Sequence, residues 1–267
     1  MRRARLPALA RAVRAELRVA LMVALQYRAS FLAEALMALG WLVWTLAPLL
    51  VVFGQREQVA GWGWNEALLV MGFFLTLQGI LSAVVDPNLR AVVEQVRDGS
   101  FDFVLLKPID AQLLVSVHRL QPTELPHALA GLGVVAWAAA RLEAPPGPLL
   151  WAEGALLLLV ATVILHAVWT VVVATSFWFV RVDNLSALVH SLLDAGRWPL
   201  PFYRGAVRAL LTFVLPIGLM TTWPALALRG LLEPGQLALA CALGLGFALG
   251  ARLVWRWALR HYTSASS

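Results

Sequence analysis

The sequence predicts an all-α integral membrane protein with six transmembrane helices. Of its 267 residues, 61% are hydrophobic and only 13% are charged, whereas soluble domains average roughly 45–50% and 25%. A soluble fold of this length has too large a polar shell to cover that much apolar side chain. Each bilayer crossing needs about 20 predominantly apolar residues, so we divide the chain into spans.

Six apolar runs are candidate spans, each bounded by charges, glycine or proline. They cover residues 30–53, 65–85, 123–140, 149–180, 206–228 and 236–257. The fourth exceeds the length that one crossing needs, which indicates tilt or protrusion. The fifth contains Pro216, whose missing amide frees the carbonyl of Thr212, so we expect a kinked or broken, partly re-entrant span.

The distribution of basic residues predicts the orientation. Residues 1–28, 86–120, 181–208 and 252–260 hold 18 of the 21 Lys and Arg residues, and the three opposite loops hold one each: Arg56, Arg141 and Arg229. Cytoplasmic loops carry the excess of basic residues, so both termini are predicted to be cytoplasmic. The net charge of +6 therefore reflects topology, and no nucleic-acid partner is needed to explain it.

Residues 1–28 are predicted to form a helix that lies on the inner leaflet. Its two faces are formed by Arg3, Arg11, Arg14 and Arg18 on one side and by Leu6, Leu9, Val13 and Leu17 on the other. Such a pattern is typical of an interfacial helix in contact with lipid. The predicted organisation is this helix, a transmembrane domain over 29–258 and a cytoplasmic tail over 259–267.

The sequence contains no P-loop, no HExxH motif and no nucleophile elbow. A phosphate-binding P-loop needs a lysine after its glycine-rich loop, but the only lysine, Lys107, lies between Leu106 and Pro108. There is no HExxH motif, no nucleophile elbow and only one cysteine, Cys241. We therefore predict no catalytic residue, metal ligand or cofactor site on this chain, and a membrane enzyme is disfavoured.

The most informative segment follows the second predicted span, at residues 86–110. Asp86 can cap a helix, Pro87 suits its first turn and Gly99 can end it. Between them, an apolar face is formed by Leu89, Val92, Val93 and Val96, opposite Arg90, Glu94 and Arg97. Such an amphipathic helix can rest on lipid, or it can dock in a groove on a cytoplasmic partner.

Two stretches of the chain resemble a known family. VRDGSFD at 96–102 with LLKPI at 105–109 is similar to the I-R-x-G-x-L-D-x-x-L-x-x-P loop of bacterial ATP-binding-cassette (ABC) permeases of the second exporter class. RWP at 197–199, Tyr203, LTFVLP at 211–216 and WPA at 223–225 resemble the same family's pattern around the fifth helix, with Trp198 in place of the usual Tyr. The resemblance is to the uncharacterised six-helix subfamily and covers essentially the whole chain.

The resemblance implies a half-transporter in the bacterial cytoplasmic membrane. Two permeases, identical or related, would sit on two ATPase subunits that hold ATP and Mg, and the complex would export a hydrophobic or amphipathic compound such as a drug, lipid or natural product. The loop after the second span would be the coupling helix that contacts the ATPase. Its implied coupling residues are Leu89, Val92, Val93, Glu94, Val96, Arg97, Asp98, Gly99, Phe101 and Asp102.

Polar or unusual residues at membrane depth are candidates for a translocation path, although helix packing can also explain each of them. These candidates are Glu34, Trp41, Trp44, Gln78, His166, Trp169, Thr212 and Pro216. A separate stripe of small residues, Ala238, Ala242, Gly246 and Gly250, predicts close helix approach within the subunit or at a dimer seam.

Two other function classes remain as alternatives. An ion-coupled secondary transporter ordinarily has an internal repeat and paired ionisable residues near the midplane, and we find neither in the sequence. A non-transporting membrane scaffold agrees with the composition, but it has no need of an amphipathic coupling helix.

Overall fold

The computed structural model describes residues 18–19, 22, 28–117, 119–178, 190–213 and 215–262. These residues form helices and loops without a β-strand, in agreement with the predicted all-α class. The helices are α1 (Arg28–Phe53), α2 (Trp64–Asp98), α3 (Phe101–Leu105), α4 (Ala111–Val115), α5 (Leu125–Ala139), α6 (Pro148–Ala174), α7 (Gly205–Phe213), α8 (Gly218–Leu228) and α9 (Pro234–Arg260). Short 3-10 turns lie at Pro122–Glu124, Thr175–Phe177, Ala195–Arg197 and Leu200–Phe202.

Within these residues, four helices are long and apolar enough to cross a membrane, namely α1, α2, α6 and α9. The bent pair α7 and α8 would add a fifth span. The third predicted span is a shorter helix, since α5 has only 15 residues, or about 22 Å at 1.5 Å per residue. A hydrocarbon core is about 30 Å thick. The structure thus supports several spans but does not confirm six.

The second predicted span does not end at Val85. Instead α2 is a helix of 35 residues from Trp64 to Asp98, so that Asp86 lies inside the helix and caps nothing. Pro87 has no N–H for the carbonyl of Ala83, and the helix passes this point through a π-helical turn over Leu81–Val85. The amide of Gln121 donates to the Ala83 carbonyl at 2.9 Å. Because this donor replaces the missing one, the helix does not have to stop at the proline.

The end of α2 agrees with the prediction. Gly99 has φ +79°, a left-handed conformation that glycine adopts without a steric penalty, and α2 ends there. The chain then turns back through α3 and α4 toward α5. Asn88 fixes this return, since its side-chain amide donates to the carbonyl of Arg119 and its side-chain oxygen accepts from the Arg119 amide, both at 2.6 Å.

Helices α2 and α5 pack closely because two glycines lie at their contact. A Cβ atom on Gly79 would come within 2.3 Å of the Ala128 amide nitrogen, and one on Gly131 within 2.4 Å of the Thr76 amide nitrogen. Both contacts involve backbone atoms, which cannot rotate away. The backbones can approach this closely only while both positions lack a side chain.

Helix α9 packs along α6 on the other side of the molecule. At this contact Gly244 lies against Val160, and Ala240 and Ala251 are buried. The predicted small-residue stripe is not at this interface: Ala238, Ala242 and Gly246 are exposed and Gly250 is half-buried. The stripe has the right spacing for close packing, but α6 contacts a neighbouring face of α9.

The fifth predicted span is broken, as expected from Pro216. Helix α7 ends at Phe213, α8 begins at Gly218, and the two are inclined by 73°. The Pro216 carbonyl accepts from the Met220 amide at 3.1 Å. Proline therefore marks the start of the second piece rather than the middle of a continuous helix.

The two ends of the molecule differ in charge. One end carries the last turns of α2, the segment between α2 and α5, and the last turns of α9, with Arg90, Arg97, Arg119, Arg252 and Arg256; we call it the basic side. At the other end, which we call the far side, Arg229 of the α8–α9 loop lies 3.6 Å from Glu66 of α2 and over the ring of Trp62.

The predicted N-terminal amphipathic helix lies outside the described residues, except for Arg18, Val19 and Met22, which are helical. Of the predicted tail, residues 263–267 also lie outside them. Helix α9 continues three residues beyond the predicted end of the sixth span, to Arg260.

Candidate functional site

The candidate site on the basic side is the coupling segment, residues 86–117, which comprises the last part of α2 with α3 and α4. The predicted docking face of α2 is covered by the chain itself. Leu89 is 1% exposed and Val92 is fully buried, while Val93 and Val96 pack against the same core. Leu89 and Val92 are therefore not available to a second protein, and all four residues pack α2 against its own bundle.

The apolar residues that remain exposed on the coupling segment come later in the chain. Phe103 and Leu106 are 70% and 79% exposed, and Leu105 is 42% exposed. Beside them a cavity of about 210 Å³ is lined by residues that include Gln95, Ser100 and Phe103. The exposed part of this surface also includes Glu94, Arg97 and Asp98 from the predicted set, with the Glu94 carboxylate 3.6 Å from the Arg119 guanidinium.

Phe101 anchors the coupling segment inside the molecule. It is fully buried, and its ring meets those of Phe177, Trp255 and Tyr262 edge-on at centroid distances of 5.5, 6.3 and 5.5 Å. Edge-to-face pairs of this kind each contribute about 0.5–1.5 kcal/mol beyond burial. The four rings come from the coupling segment, the end of α6 and the end of α9, so these three parts are expected to move together.

An ion pair adds a second connection between the coupling segment and α9. The Arg252 guanidinium donates to both carboxylate oxygens of Asp110, with Nη1 to Oδ1 at 2.8 Å, and Nη1 also donates to the Gln112 side chain at 2.8 Å. The hydrogen bond from Arg252 holds the pKa of Asp110 below its ordinary value. Sequence analysis missed this pair, since the two residues lie far apart in the chain.

A third connection joins the coupling segment to α6 at Asp86. The indole N–H of Trp169 donates to Oδ1 of Asp86 at 3.0 Å, and the Arg90 guanidinium lies 2.6 Å from Oδ2. His190 packs edge-on against Trp169 at 4.7 Å, with its Nε2 3.9 Å from the same carboxylate. Trp169, a candidate for the translocation path, is buried and donates this hydrogen bond.

A second candidate site is a cavity of about 170 Å³ between the candidate spans α1 and α2 and the start of α5, which we call the membrane cavity. It brings together two predicted path residues, Trp41 and Gln78. Ser82, Glu124 and His127 also line it, and Nδ1 of His127 lies 3.5 Å from Oε2 of Glu124. The cavity is near the basic side, because α5 begins there.

The comparison with known protein families decides what kind of protein this is. The family model described as "ABC-2 family transporter protein" matches residues 39–266, which include the coupling segment and all of the cavity lining except Ala38. The chain belongs to the ABC-2 transporter family. It is therefore a multi-pass membrane protein and the permease subunit of an ABC transporter, a type of subunit that associates with ABC ATPases. Neither the curated proteins nor the solved structures contain a match to it.

In the permease, the other predicted path residues do not join the cavity of Trp41 and Gln78. Glu34 is half-buried and Trp44 is 72% exposed on α1. His166 lies in α6 with its Nε2 2.9 Å from the Ser116 hydroxyl of the coupling segment. Thr212 bonds through its hydroxyl to the carbonyl of Arg208 within α7. The predicted path is thus divided among several places in the fold.

The residues that the sequence reasoning missed in the permease are Asp86 as a buried acceptor, the Asp110–Arg252 pair, and Glu124 with His127 in the cavity wall. A signal was present for Asp86, since a carboxylate four residues before an arginine forms an ion pair on one helix face. The other pairs depend on how separate elements meet, which periodicity along one helix does not reveal.

Proposed function

We propose that this permease exports a hydrophobic or amphipathic compound across the bacterial cytoplasmic membrane. It would act as one of two identical or related permease subunits, mounted on two ATPase subunits that bind ATP and Mg. Both termini and the basic side would face the cytoplasm, because the 18 to 3 distribution of Lys and Arg favours that orientation.

The observation that carries this proposal is that α2 is one continuous helix whose end belongs to the coupling segment, and that this segment is joined to α6 and α9. The helix runs from the far side into the coupling segment without interruption, and the Phe101 cluster and the Asp110–Arg252 pair tie that segment to α6 and α9. A displacement of the coupling segment by a closing ATPase pair would therefore reach three long helices. A scaffold protein has no need of such connections.

The proposed ATPase contact is the surface formed by the exposed residues Phe103, Leu105, Leu106, Glu94, Arg97 and Asp98, with the half-buried Asp102 beside them. Exposed aromatic and aliphatic side chains beside charges are typical of a protein interface with an apolar centre and a polar rim. The buried members of the predicted coupling set, Leu89, Val92 and Phe101, would pass the movement inward, and Gly99 would allow the turn that presents the surface.

The decisive experiment co-expresses the permease with its ABC ATPase partner and compares two exposed leucines. Leu106→Asp places a charge in the proposed interface, so we expect at least tenfold less ATPase to co-purify. Leu231→Asp is the matched control, because Leu231 is 57% exposed in the α8–α9 loop on the far side. It should leave the recovery unchanged. Equal recovery with both variants would refute the proposed contact.

Reconstitution in proteoliposomes tests the function itself. Uptake of a fluorescent amphipathic dye into inside-out vesicles should require ATP and the ATPase, and the purified permease alone should bind no ATP. Transport that continues without the ATPase under an ion gradient would favour a secondary transporter. An intact complex with ATPase activity that moves none of a panel of dyes and lipids would favour a scaffold.

A further inference from the structure

The membrane cavity between α1, α2 and α5 combines a largely apolar wall with four polar side chains. Its polar groups are the Gln78 amide, the Ser82 hydroxyl, the Glu124 carboxylate and the His127 imidazole, and Trp41 lies on the α1 wall. The remaining wall is apolar or small, with Leu42 and Leu75 among it. Apolar cavities with a few convergent polar groups are the usual form of small-molecule sites.

The carboxylate of Glu124 is available to a ligand. Glu124 precedes the first residue of α5, where the macrodipole of a 15-residue helix favours a negative charge. The described residues that line the cavity include no Lys or Arg that could neutralise it. His127 is its neighbour at 3.5 Å, yet Nδ1 of His127 is buried without a hydrogen-bond partner among the described residues. Such orphaned polar atoms are rare and indicate a missing partner at the cavity wall.

Trp41 supplies the second recognition element. It is 49% exposed, and an indole face is the best aromatic partner for an organic cation. A negative charge and an aromatic face around an apolar space are complementary to a positively charged group carried on an apolar body. An anionic compound would instead meet the Glu124 carboxylate, with no Lys or Arg among the described lining residues to offset the repulsion.

We propose that this cavity binds an amphipathic organic cation, with its charge beside Glu124 and its apolar body against Trp41. The inference rests on the proposed export function, because it names the class of compound that the permease would carry. The cavity also lies near the basic side, from which an exporter loads.

Tetraphenylphosphonium and tetraphenylborate test the proposal, because they are nearly equal in size and opposite in charge. Equilibrium binding of each is measured on the purified permease–ATPase complex in detergent. We expect tetraphenylphosphonium to bind at least tenfold more tightly than tetraphenylborate. Glu124→Gln, which keeps the shape and removes the charge, should weaken tetraphenylphosphonium binding about tenfold, and Glu143→Gln in the exposed far-side loop should not.

A second pair of variants tests the role of Trp41 and controls for misfolding. Trp41→Leu should weaken tetraphenylphosphonium binding at least fivefold, whereas Trp44→Leu, one turn away on the same helix and outside the cavity, should leave it unchanged. All four variants should retain the ATPase on purification. Equal affinity for the two ions, or no effect of Glu124→Gln and Trp41→Leu, would overturn the inference. If the complex then still transported neutral compounds with ATP, the proposed function would stand without it.

Discussion

Arg252 of the last helix donates hydrogen bonds to both carboxylate oxygens of Asp110 in the coupling segment, although the two residues are 142 positions apart in the chain. Their side chains are 29% and 24% exposed, so the pair is partly shielded from water and salt. It joins the coupling segment to α9, in addition to the ring contacts of Phe101. The contribution of the ion pair can be tested by removing the charge of one partner.

Replacing Asp110 with Asn should lower stability by about 1 kcal/mol at pH 7, and this difference should depend on pH. Arg252 lowers the pKa of folded Asp110 below the ordinary 3.8, so the ion pair stabilises the fold above that pH. The contribution is lost as the pH falls through the lowered pKa. Thermal unfolding in detergent between pH 7 and pH 3 measures it. A difference that stays constant below pH 3.8 would contradict the assignment.

Trp169→Phe should destabilise the permease by roughly 1.5–3 kcal/mol, because a hydrogen bond to a charged group is lost and the carboxylate of Asp86 stays buried. Trp44→Phe provides the control, since Trp44 lies exposed on α1 and its replacement should change the melting temperature little. Equal melting temperatures for the two variants would mean that the Trp169–Asp86 bond contributes nothing measurable.

Gly131→Ala should disrupt the packing of α5 on α2. The new methyl group would lie 2.4 Å from the Thr76 amide nitrogen, and overpacking of this kind typically costs about 1–3 kcal/mol or more. Gly133→Ala is a matched control two residues along the same helix, where an added Cβ meets no atom within 4 Å. It should be neutral or slightly stabilising. Expression and thermal stability in detergent distinguish the two, and a harmless Gly131→Ala would refute this packing.

The orientation of the chain can be tested by labelling single cysteines in a Cys241→Ala background. Cysteines placed at Glu57, Glu143 and Glu233 should react with a membrane-impermeant maleimide added to intact cells. All three positions are exposed, in far-side loops. A cysteine at Ser267 should react only after the membrane is opened, and its labelling in intact cells would reverse the predicted topology.

Hydrophobicity and turn residues were sufficient to locate most helices. The runs 30–53, 65–85 and 236–257 fall within α1, α2 and α9, whereas the run 149–180 extends past the end of α6 at Ala174; Gly99 ends α2, and Pro216 lies at the break before α8. Each of these signals is local, since a run of apolar side chains or a residue with a restricted backbone acts on its own neighbourhood.

The same local reasoning failed at Pro87. Taken alone, a proline after an aspartate indicates a helix start, but the carbonyl that Pro87 leaves unpaired is satisfied by Gln121 from a separate segment. The amphipathic pattern of 89–96 had a similar limit. Periodicity identified the apolar face correctly but could not tell whether a partner, lipid or the chain's own core covers Val92.

Because α2 is one continuous helix, it can act as a lever. Trp169 and His190 contact it at Asp86, which divides the helix into arms of about 20 Å over residues 86–98 and about 33 Å over residues 64–85, at 1.5 Å per residue. With that ratio, a push of about 3 Å on the short arm becomes about 5 Å at the distal tip. A small displacement of residues 86–98 by the ATPase would thus become a larger displacement of the other end of α2, on the opposite side of the bilayer.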